Sequence, residues 1–181
     1  IRSSSISSNN GEGLVVLGPA EGVAVVDSEV ASNLGSGMTI TGGARDLLVQ
    51  QTTFTNNNGW GISLLPGAGG EPRDYHIRWN TIETNFTGGL FAQAIGGGTI
   101  RANQIAANRG PGMHLTGLDA SSEELWVFNS VIYDQNGPGF TIDGSSAAVR
   151  FVNNTLYQND RLEQGMGDVA IDAVTRDLWV I

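Results

Sequence analysis

Cysteine and lysine are both missing from the 181 residues, and only five prolines interrupt them. Without cysteine there are no disulfides and no thiolate metal ligands, so every redox compartment stays open. Without lysine, all nine basic side chains are arginine, and eighteen acids outweigh them for a formal net charge of −9. That balance argues against nucleic acid or an anionic membrane as a partner. A polyanionic sugar would also be repelled unless a local arginine patch or a bound cation intervened. No apolar run approaches the length needed to cross a bilayer. Phosphate-binding loops, His-Glu-x-x-His zinc patterns and Gly-x-Ser-x-Gly elbows are absent too.

Glycine, by contrast, occurs 26 times, and its placement is regular. Residues 28–40 read Ser28-x-Val30-x-x-Asn33-x-Gly35-x-Gly37-Met38, and the same order recurs along the chain. It begins at Ser4, Thr52, Asn80, Asn103 and Ser130, with Thr87 replacing the first glycine in one copy and Gln135 replacing the amide in another. A seventh copy starts at Asn154 and has a longer turn before Val169 resumes the pattern. The apolar column is Ile6, Val30, Phe54, Ile82, Ile105, Ile132, Leu156, with spacings of 24, 24, 28, 23, 27 and 24. The Asn/Gln column keeps the same steps, and two columns in step across unequal gaps define a repeat.

Within each unit the apolar period is two, which predicts strands, three to a unit. Examples are residues 47–50 before the polar turn residue and residues 61–65 after the Gly-x-Gly turn. Stacking such units at roughly 4.8 Å per coil predicts an all-β parallel β-helix of about seven coils. A single unit could not bury its own apolar face, so the whole stretch is one cooperative solenoid. On these residues the chain resembles the pectate-lyase-like superfamily of right-handed β-helices, and the resemblance covers essentially all of it. It implies right-handed coiling and a ligand groove along the outer face of the strand that follows each Gly-x-Gly turn. Neither end carries a polar cap, so residues 1–181 are expected to be one stretch of a longer β-helix, its open ends meeting further coils of the parent protein or other chains.

The two polar turn columns, Ser4 to Asn154 and Asn9 to Asn159, read as structural, because short polar side chains mimic turn backbone. Strand alternation then lists the outward face of the groove strands. One column is Val15, Thr39, Ser63, Phe91, His114, Thr141, Ala170; the other is Leu17, Thr41, Leu65, Gln93, Thr116, Asp143, Asp172. The early coils offer nothing catalytic. The later ones bring Phe91, Gln93 and His114 together with Asp143 and Asp172. Two carboxylates one coil apart can share a proton or hold a hard cation such as calcium; His114, diagonal to Asp143, can act as a base. The alternative for these aspartates is a solvated strand end beside Gly144. Trp60 offers an aromatic platform for a sugar ring, or else merely covers the coil edge. Arg78 and Arg101 stack on the preceding strand, and a surface ion pair of Arg78 with Glu83 is expected there.

The resemblance has gaps. There is no Asp-Pro-His-Glu run of the alginate-epimerase kind, no paired-aspartate motif of the polygalacturonase kind, and no arginine in the groove columns. Two functions therefore stand side by side. One is a carbohydrate-binding or carbohydrate-processing β-helix of a secreted or surface protein. It would use His114, Asp143 and Asp172 for chemistry, Trp60, Phe91 and Gln93 for substrate, and calcium on the two aspartates. The other is a non-catalytic structural, adhesive or assembly solenoid.

Overall fold

The computed structural model describes residues 1–117, 124–144, 148–162, 165–171 and 178–181. Its elements are strands alone, arranged in three parallel sheets of seven strands each. Following one coil, Leu14–Leu17 lies in the first sheet, Ala24–Val26 in the second and Glu29–Ala31 in the third; Met38–Thr41 then returns to the first. Each strand pairs only with its counterparts one coil before and after, which is the right-handed β-solenoid expected from the repeat.

Register follows the columns read from the sequence. Ile6, Val30, Phe54, Ile82, Ile105, Ile132 and Leu156 are successive partners across the third sheet. Their inward side chains join Ile40, Leu64, Ala92, Leu115 and Ile142 from the first sheet and Val49, Ile77, Ile100 and Val127 from the second in one continuous core. Tyr75 is wholly buried there, and its hydroxyl donates to the Gly96 carbonyl at 3.2 Å. Burial pushes that phenol well above its ordinary range, so it stays neutral.

Both polar columns lie at corners and bond along the axis. In the corner before the first sheet, Asn57 donates its backbone N–H and its Nδ2 to Asn85 Oδ1, at 3.1 and 2.9 Å. Asn85 repeats the pattern with Asn108, and Asn108 with Gln135. The other corner does the same more simply; Asn80 N–H, for instance, donates to Asn103 Oδ1 at 3.0 Å. A residue in the left-handed region precedes ladder residues at both corners: Asp27, Gln51, Trp79, Ala102, Asn129 and Asn153 at one, Ser32, Asn56, Thr84, Ala107, Asp134 and Gln158 at the other. For non-glycine residues that conformation costs roughly 1–2 kcal/mol each, and the ladder's buried hydrogen bonds offset it. Gly37, in the turn that follows, has no room for a side chain. A Cβ there would sit 2.7 Å from the Gly61 carbonyl oxygen and 2.8 Å from Asn57 Nδ2.

The seventh unit shows what its longer turn does. Asn159 donates from its backbone N–H and Nδ2 to Asp168 Oδ1, at 3.1 and 2.7 Å. Asp160 Oδ2 accepts from the backbone N–H groups of Met166 and Gly167. A carboxylate only accepts, so Asp168 terminates a ladder in which each amide from Asn33 to Asn159 both accepts and donates.

Candidate functional site

The outward columns of the first sheet are those expected. Ser63, Phe91, His114, Thr141 and Ala170 are register partners on consecutive strands, as are Gln93, Thr116 and Asp143. In the early coils the same positions hold Val15, Thr39, Leu17 and Thr41, without a titratable group.

Chemistry is concentrated in the middle coils. Trp60 opens the strand Trp60–Leu65, and its register partner on the next strand is Gly88. A Cβ on Gly88 would collide with the indole, so this glycine lets Trp60 lie across the strand. The indole stacks on Phe91, with centroids 5.2 Å apart and planes 25° apart. Phe91 meets the His114 ring edge-on at 5.3 Å, and Trp60 lies 6.3 Å from the same imidazole. Such ring pairs are favourable beyond their buried area. Trp60, Phe91 and His114 therefore form one cluster of rings on this face.

His114 Nε2 lies 2.8 Å from Asp143 Oδ2, the diagonal contact expected from the register. Partial burial pushes the Asp143 carboxyl upward, but hydrogen bonds from Thr116 and His114 and the electrostatic attraction of the His114 ring outweigh it and leave the group below its ordinary range. Asp143 is thus ionised at neutral pH and accepts from His114, so Nε2 carries a proton. In the neutral imidazole this fixes Nδ1 as the lone-pair nitrogen, an acceptor for a ligand hydroxyl or a transferring proton.

Thr116 was visible in the outward column but not singled out; its hydroxyl helps hold Asp143. Thr141, the partner of His114 on the next strand, keeps its Oγ1 buried and without a hydrogen-bond partner among the described residues. Gln93 is exposed, one strand before Thr116, and among the described residues its side chain forms no hydrogen bond. Asp172 lies outside the described residues, and so does the shared-proton or calcium pair it was expected to make with Asp143. Among the described residues no group of three or more His, Asp or Glu side chains is placed to hold a metal ion. The expected Arg78–Glu83 pair is not formed: Arg78 Nε donates to Gln50 Oε1 at 2.9 Å. Glu83 lies beyond a corner, on the third sheet, and faces away.

The family model for the right-handed β-helix region matches residues 1–177. The chain belongs to that family. Among solved structures, this β-helix superposes on the periplasmic alginate epimerase AlgG with a TM-score of 0.83 at 16% identity, over 99% of this chain and 45% of that one. The A-module of the Azotobacter vinelandii mannuronan C-5 epimerase AlgE4 gives 0.61 at 14% identity, over 99% and 55%. The Agl-KA catalytic domain gives 0.53 at 12%, over 99% and 47%. At these identities the likeness is one of fold, and this β-helix spans about half the length of the chains it matches. No curated protein matches it.

Proposed function

We propose that the outer face of the first sheet is a carbohydrate-binding groove of a protein working outside the cytoplasm. The observation that carries this reading is the unbroken run Trp60–Phe91–His114–Asp143, in which a stacked aromatic pair adjoins a histidine held by an ionised carboxylate. The C–H face of a pyranose is apolar and suits the Trp60–Phe91 platform, while its hydroxyls need directional partners, which His114 Nδ1 and Gln93 supply. The alginate and mannuronan epimerases that share the fold are named for polysaccharide substrates, and that supports the same class of ligand here.

His114 is the residue equipped to move a proton at this face, with Asp143 as its positioning partner. The hydrogen bonds from His114 and Thr116 already engage the Asp143 carboxylate, so calcium shared with Asp172 is the lesser use of it, and ligand binding is expected to survive chelator. A glycan-array screen of the folded chain, repeated with calcium and with chelator, tests the proposal. The expected result is a specific hit that His114→Ala and Phe91→Ala abolish while the β-sheet circular dichroism is unchanged. A blank array from well-folded protein contradicts it and favours the structural solenoid, for which the titratable-free outer face of the early coils is the supporting observation.

A further inference from the structure

The opposite side of the solenoid has a character of its own. From Leu47–Gln50 through Tyr75–Arg78, Gly98–Arg101, Leu125–Phe128 and Val149–Val152, alternate residues of the second sheet point outward. One outward column runs Leu48, His76, Thr99, Trp126, Arg150; the other runs Gln50, Arg78, Arg101, Phe128, Val152. In a chain with eighteen acids, this ten-residue face carries three arginines, a histidine and two aromatics, and no carboxylate.

Arg150 is paired with Glu124, at 2.6 Å. Arg78 and Arg101 are register partners on adjacent strands, and neither makes an ion pair among the described residues. Both lie instead over the indole of Trp79, at 4.8 and 4.9 Å from its centroid. Trp79 is 47% exposed and holds a left-handed corner conformation with φ of 57°, so it stands out from the coil and props the two guanidiniums. Arg78 is fixed further by its bond to Gln50, whose Nε2 donates in turn to Gln51 Oε1 at 2.6 Å. The ring contact and the Nε bond leave the Nη groups of Arg78 as its unused donors. Register places Arg78 and Arg101 side by side on neighbouring strands, whose backbones lie about 4.8 Å apart, and a guanidinium fork is the side chain best shaped for a carboxylate.

We propose that this face binds a carboxylate-bearing saccharide chain, with one carboxylate seated between Arg78 and Arg101 and ring faces lying on Trp126 and Phe128. An acidic peptide fits less well. It has no flat apolar ring face to lay on Trp126 and Phe128. The site is separate from the Trp60–His114 groove, on another sheet.

The test is a calorimetric titration of the full chain with a size-defined oligogalacturonate, run in the His114→Ala background so that the groove is disabled. Neutral cello-oligosaccharide and poly-glutamate serve as comparison ligands. The expected result is binding of the oligogalacturonate that weakens with salt, does not extend to the comparison ligands, and falls at least about tenfold with Arg78→Gln or Arg101→Gln. Arg101→Lys, which keeps the charge and loses the fork, should fall between. The proposal is overturned if folded protein shows no binding, if neither glutamine variant weakens it, or if poly-glutamate binds equally well.

Discussion

At the residue scale, His114 and Asp143 form the polar centre of the first-sheet face. Sequence alternation placed both on the outer face and made them diagonal neighbours, and the 2.8 Å contact confirms that geometry. What alternation could not reveal is the company each keeps. Gly88 is legible only as one glycine among many, yet its missing side chain is what admits the Trp60 indole onto Phe91. Arg78 and Glu83 are close in sequence, but the corner at Trp79 turns the two side chains to different faces. The lowered Asp143 group has a consequence for stability. A carboxyl whose folded-state pKa lies below its unfolded value stabilises the fold above the ordinary carboxylate range near 4 and loses that contribution as pH falls through the folded value. Asp143→Asn is therefore expected to melt below the parent protein at neutral pH. The gap should narrow between about pH 5 and pH 2, as read from paired thermal melts. A gap that stays constant across that window would mean the carboxylate's charge is not what matters.

At the element scale the fold is held by corners as much as by strands. The strands were legible because apolar period, glycine turns and amide columns keep step through unequal coils. The left-handed corner residues were not, since Asp27, Gln51, Trp79, Ala102 and Asn129 share no chemistry; what they share is the ladder residue that follows, an amide or a hydroxyl. The longer turn of the seventh unit was seen, but not that Asp168 closes it by accepting from Asn159. Ladder position therefore sets the cost of a substitution. Asn85 is wholly buried; its Oδ1 accepts twice from Asn57, and its Nδ2 donates to Asn108 and to the Phe54 carbonyl. Asn85→Ala strands several of these partners and should cost about 3 kcal/mol or more. Asn9, exposed at the ladder's start, donates to Asn33 alone, and Asn9→Ala should cost about 1 kcal/mol or less. Denaturant unfolding of the two variants measures both, and equal costs would contradict the ladder's role.

At the scale of the whole molecule, one scaffold presents three unlike faces around a shared core. The first sheet concentrates aromatic rings and a histidine–aspartate pair in its middle coils. The second gathers arginine and aromatic side chains, with Glu124 at one strand's start paired to Arg150. The third is mostly small and hydroxylated, with Glu29 and Glu83 outward and a Tyr133–Tyr157 stack towards its end. A net charge of −9 describes none of them singly, which is why composition alone spoke against polyanions while the register assembles a patch suited to them. If sugar binds in the first-sheet groove, an amide chemical-shift footprint will show it there. The chain is titrated with the oligosaccharide that the array identifies. Shifts concentrated at residues 59–63, 88–91, 113–116 and 141–144, with the third sheet silent, are what the account predicts. Shifts confined to another face, or none at saturating ligand, would contradict it.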